Sequence, residues 1–133
     1  MSLAIINPPG WPRPRGYSNG VIASGRRLHI AGQVGWEVDG RFASDFVRQF
    51  ARALDNVIEV VRTAGGKPED VATMTMFVTD LATYKASTRA LAAVWRERFG
   101  THYPAMALVQ VVGLVEPGSL LEIQAEAALG DGP

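Results

Sequence analysis

The sequence contains no cysteine, which excludes disulfides, iron–sulfur clusters, cysteine-held zinc and a thiol nucleophile, and suits a reducing cytosol. Its only two histidines, His29 and His102, are far apart and have no carboxylate at ligand spacing, so no metal site is expected. There is no surplus of charge either: 13 Lys and Arg balance 13 Asp and Glu. Without a global field to gather nucleic acid or an anionic membrane, neither is expected as a partner. No apolar run approaches the roughly 18 residues of a membrane span, and the N-terminus lacks the basic flank and cleavage site of a signal peptide. A soluble, cytoplasmic protein is therefore expected. The sequence also lacks G-x-G-x-x-G after a strand, G-x-x-x-x-G-K-[ST], G-x-S-x-G and H-E-x-x-H. Gly65-Gly66-Lys67 reads as a helix stop rather than a phosphate loop, and no cofactor is called for.

What is present is material for one ordinary core. The chain has 133 residues, 47% hydrophobic and 20% charged, which suits a single domain over residues 1–133. Residues 1–16 carry Pro8, Pro9, Pro12 and Pro14, four of the eight prolines, and predict an extended, irregular arm. Val21–Ser24 and Arg27–Val34 flank Gly25-Arg26 and predict a β-hairpin. Gly32 and Gly35 suggest that something approaches the second strand closely.

From Asp45 to Ala64, Phe46, Phe50, Leu54, Val57, Ile58 and Val61 recur at spacings of three and four, with charged residues opposite. A helix is predicted, with Ser44 as N-cap, Gly65 just past its end and Pro68 beyond. Val71–Val78 is a predicted strand. A second helix is predicted from about Leu81 to Phe99, with Tyr84, Leu91, Trp95 and Phe99 on one stripe. Strands over Pro104–Val112 and Leu120–Ala128 complete the order β-β-α-β-α-β-β. The class is α+β: one mixed sheet with two helices on one face. Both parities of Ala105–Val112 are mostly apolar, which predicts two buried faces and a homo-oligomer built on the helix-free face.

Few residues stand out chemically. Glu122 sits among Leu120, Leu121 and Ile123, as either a residue of the solvated face or a partly desolvated acid–base group. Trp11, Tyr17, Arg13 and Arg15 on the arm form either a loop packed on the surface or a lid on a site. Met74, Met76 and Met106 lie on strands, where methionine usually fills core or interface. Arg13, Arg15, Arg26 and Arg27 are the one basic cluster, without a stacking platform for RNA.

Taken in order, Gly16-Tyr17-Ser18, Ile30-Ala31-Gly32-Gln33-Val34, Ala53-Leu54-Asp55-Asn56-Val57, Ala64-Gly65-Gly66, Phe77-Val78-Thr79-Asp80-Leu81, Tyr103-Pro104-Ala105 and Leu121-Glu122-Ile123-Gln124-Ala125 resemble the RidA/YjgF family. Its members are enamine/imine deaminases, also called endoribonuclease L-PSP. The resemblance implies a chorismate-mutase-like fold, a homotrimer and a small-molecule ligand bound in clefts between subunits. It implies Glu122 as the catalytic residue acting on water, and Tyr17, Gly32, Gln33, Thr88 and Met106 as substrate-binding positions. At Met106 the family carries an arginine that binds the carboxylate of 2-aminoacrylate or 2-iminobutyrate. Methionine offers no charge and no donor, so an unpaired carboxylate there would cost on the order of a few kcal/mol, or about a hundredfold and more in rate. The resemblance with this departure implies an imine/enamine hydrolase of altered specificity, with Arg13 or Arg15 as a substitute cation. A noncatalytic small-molecule-binding trimer is the alternative, and an endoribonuclease the second alternative.

Overall fold

The computed structural model describes residues 3–130; the first two residues of the arm and the last three of the domain lie outside the described residues. Six strands and three α-helices follow in the order β1 (Leu3–Ile6), β2 (Gly20–Ala23), β3 (Arg27–Val34), α1 (Phe46–Thr63), β4 (Val71–Val78), α2 (Leu81–Ala86), α3 (Thr88–Phe99), β5 (Ala105–Gln110) and β6 (Leu121–Ala128). The main sheet has the strand order β3-β6-β4-β5; only β4 and β5 run parallel. Strands β1 and β2 form a separate antiparallel ribbon. The mixed α+β architecture is the expected one.

Helix α1 follows from its apolar stripe. Phe46, Phe50, Leu54, Val57, Ile58 and Val61 are all buried, against β3 and β6. Its N-cap is Asp45 rather than the expected Ser44: the Asp45 carboxylate accepts from the Arg48 N–H at 2.8 Å. At the other end Gly65 takes φ +92°, and the N–H groups of Gly65 and Gly66 donate to the carbonyls of Arg62 and Val61, each at 2.9 Å. This pair of bonds satisfies two orphan carbonyls and needs a left-handed residue at position 65.

Three expectations are corrected. Part of the arm is a strand: Leu3–Ile6, an apolar run of four, pairs with β2 over its whole length, Leu3 opposite Ala23 and Ile6 opposite Gly20. The expected hairpin between β2 and β3 therefore does not form, and β3 pairs with β6 instead. At the supposed turn Gly25, with φ +96°, bridges to Gly130, and the Arg26 N–H donates to the Gly130 carbonyl at 2.8 Å. The backbone at residue 130 lies where a Cβ at Gly25 would, so the chain turns toward the end of β6 rather than back on β2. The second helix is broken at Ser87, whose hydroxyl donates to the Thr83 carbonyl at 2.7 Å and competes with the regular helical pattern.

The helices lie on one face of the main sheet. Met74, Met76, Val78, Leu121, Ile123 and Ala125 point to them and are buried. Phe77, Thr75, Glu122 and Gln124 alternate to the opposite, outer face. On β5 that outer parity is apolar but exposed in the single chain, with Val109 at 43%. One buried amide ties the layers: the Gln49 side chain donates to the carbonyls of Ala43 (2.8 Å) and Gly118 (3.0 Å) and accepts from the Leu120 N–H (2.8 Å).

Candidate functional site

Strand β5 is the edge of the main sheet, so its helix-facing side chains have no neighbouring strand beyond them. Met106 lies opposite Met74 and Leu108 opposite Met76, which sets both under the helices. Above them α3 presents Thr88, Leu91, Ala92 and Trp95, spaced as one helical stripe. Between strand and helix is a cavity of about 440 Å³.

The arm closes one side of it. The Ser18 N–H donates to the Pro104 carbonyl at 2.9 Å, and the Ser18 hydroxyl donates to the Tyr103 carbonyl. These bonds pin residues 16–18 beside the start of β5 and carry Arg15 and Tyr17 to the cavity wall. Trp95 forms the back wall and is held rigidly. Its indole N–H donates to the His102 carbonyl at 3.1 Å, and its ring stacks with those of Phe99 (4.2 Å between centroids) and Tyr103 (5.8 Å). Among the described residues Arg15 is the one charged residue of the lining, and none of them forms a hydrogen bond or ion pair with it.

The remaining family positions gather elsewhere. Glu122, opposite Phe77 on the outer face, lies against Gly32; a Cβ at Gly32 would collide with the Glu122 carboxylate. This is the close approach that glycine in the strand signalled, and Gly35 repeats it: a Cβ there would come within 2.7 Å of the Gln49 backbone. A bulge between Ile30 and Gln33 breaks the β3–β6 register at the same place. The Gln33 amide donates to the Ala31 carbonyl at 3.0 Å, and the Glu122 carboxylate has no hydrogen bond or ion pair from a described residue.

Two clusters therefore exist in the single chain: Tyr17, Thr88, Met106 and Arg15 around the cavity, and Gly32, Gln33 and Glu122 on the other side of the sheet. Arg13 is exposed on the arm and does not line the cavity. Tyr84, Trp95 and Tyr103 were not expected as lining; the first two were visible only as a helix stripe, which a core also produces. Among the described residues no group of three or more His, Asp or Glu could hold a metal ion, and no helix is long and apolar enough to cross a membrane.

This fold and pair of clusters define a class. Residues 12–129 match the family model described as Endoribonuclease L-PSP. The chain belongs to this family, the RidA/YjgF proteins. A similar solved structure is YyfB of the Rid family from Yersinia pestis, of unknown function, 35% identical, with 97% of this chain and 100% of that one covered and a TM-score of 0.87. The YjgF gene product of E. coli is 30% identical, with 84% and 87% covered and a TM-score of 0.70. RidA from an Antarctic Psychrobacter is 26% identical over 89% and 92%, with a TM-score of 0.69.

Proposed function

We propose that this chain is an imine/enamine hydrolase of altered specificity, acting on a small reactive metabolite between the subunits of a homotrimer. The observation that carries this is the division of the family positions between two sheet faces. Glu122 keeps a carboxylate with no partner among the described residues on one face, and Tyr17, Thr88 and Met106 stand round a cavity on the other, an arrangement that supports a site completed by a second copy. The exposed apolar outer parity of β5 supports self-association.

In the reaction the Glu122 carboxylate takes a proton from water while the water oxygen bonds to the imine carbon. The C=N electron pair moves to nitrogen, which takes that proton back from Glu122 to give a carbinolamine; Glu122 then removes the hydroxyl proton and passes it to nitrogen as the C–N bond breaks, releasing ammonia and a carbonyl product. Met106 removes the floor cation that would hold a small 2-imino carboxylate, so such substrates are turned over poorly.

The test generates 2-aminoacrylate and 2-iminobutyrate in situ with a dehydratase and follows keto-acid release. The unmodified protein should give little acceleration and Met106→Arg on the order of a hundredfold more, lost again on adding Glu122→Gln. Unchanged turnover on Glu122→Gln for every accepted imine would overturn the role of Glu122.

Met106 also favours a second reading, a noncatalytic binding trimer. It predicts that a stabilising metabolite is recovered unaltered. Cleavage of RNA, the activity in the family's descriptive name, finds less support here, since Arg27 of the basic cluster is drawn to Glu126 at 3.7 Å.

A further inference from the structure

The cavity carries a polarity of its own. Its floor and back are apolar: Met106, Leu108, Leu91 and the rings of Trp95 and Tyr103. At about 440 Å³ it lies within the usual range of small-molecule sites and far exceeds the needs of a three- or four-carbon acid. The Trp95 and Tyr103 rings are nearly parallel, 5° apart, and Trp95 is fixed by its indole bond and by its stack on Phe99. The two rings stack on one another, so they present a fixed aromatic wall rather than a slot, and a planar apolar ligand lies against that wall without ordering it further. Among the described residues Arg15 is the single charged group of the lining, exposed and without a partner. Its planar fork matches a carboxylate and retains its hydration until a ligand arrives.

We infer that this cavity takes an organic anion with a planar apolar body, the ring lying inward against Trp95, Tyr103 and Met106 and the carboxylate held at Arg15. The ligand thus lies with its charge outward, the reverse of the orientation an arginine at position 106 would impose. Met106 completes the floor, its polarisable sulfur suited to a ring edge. The inference rests on the proposed function only in taking this cavity as the ligand half of the site.

The experiment is calorimetric titration of the full chain with 3-phenylpropanoate, its neutral amide, and propanoate, repeated on Arg15→Gln and Ala92→Phe. Arg15 and Ala92 are both exposed, so neither change disturbs the core. The unmodified protein should bind 3-phenylpropanoate about tenfold or more tightly than propanoate. Arg15→Gln should weaken the acid about threefold, to the level of the amide, and leave the amide unchanged. Ala92→Phe, which fills the cavity, should remove binding of both aromatic ligands. Equal binding of propanoate and 3-phenylpropanoate, or an acid preference surviving Arg15→Gln, overturns the inference. Binding of the aromatic acid without turnover of any imine defeats the hydrolase and leaves the ligand class standing. Turnover of small imines without binding of the aromatic acid does the opposite.

Discussion

Helices α1 and α3 cover the same face of the sheet, but they meet different strands. Under α1 lie β3 and β6, and the middle of the helix is fully closed in: Ala53, Leu54, Val57 and Val61 have no solvent exposure. Under α3 lies the edge strand β5, where the sheet stops and the layer is left open as a cavity. The two stripes look alike along the chain, so an apolar stripe says that a helix is covered and not how completely. The difference lies in what stands opposite.

Truncation separates the two halves most strongly. Leu54→Ala should cost about 3 kcal/mol in urea denaturation, since the closed surroundings cannot collapse into the void. Leu91→Ala, at the cavity wall, should cost about half as much, because that side chain already has an open side. Equal losses would mean that α3 is as tightly packed as α1.

Gln49→Leu probes the closed half in another way. It leaves the carbonyls of Ala43 and Gly118 and the Leu120 N–H without their partner, and should cost about 2 kcal/mol by the same measurement. No change would show that water reaches these groups and that the region is less closed than α1 suggests.

The smallest effect is expected at the seam between the halves. Arg98 of α3 meets Asp55 of α1 in a two-pronged ion pair at 2.7 and 3.3 Å, with the Asp55 side chain 43% exposed. Screening and that exposure limit Asp55→Asn to about 0.5 kcal/mol, and the difference should shrink as salt is added. A larger loss that salt does not alter would mean that the pair holds α3 in place over the cavity.

Much of the architecture was legible because its signals are local. The limits of β4 coincide with the predicted Val71–Val78, and the apolar stripe and Gly65 define α1 with an error of one residue at each end. The alternation in Leu121–Ala128 correctly divides Leu121, Ile123 and Ala125 from Glu122 and Gln124. The strand pairings were not legible in this way. A glycine between two short apolar runs is compatible with a hairpin, and only the contact of Gly25 with Gly130, 105 residues along the chain, excludes it here. The β1 strand was hidden by the prolines that follow it, although Ile5 and Ile6 were the signal for it.

The site shows the same boundary. The ordered fragments from Gly16-Tyr17-Ser18 to Leu121-Glu122-Ile123 identify the family and point to Tyr17, Gly32 and Glu122, because a family's spacing is written along the chain. Their separation onto two faces of the sheet depends on the register of β4, β5 and β6. So does the cavity, which exists because β5 falls at an edge and Ser18 is pinned beside it. The sequence by itself determined α1, the alternating faces and the family, since these rest on periodicity and order within the chain. Only the tertiary structure decided which residues share a site, since that depends on distances between segments far apart in sequence, where periodicity carries no information.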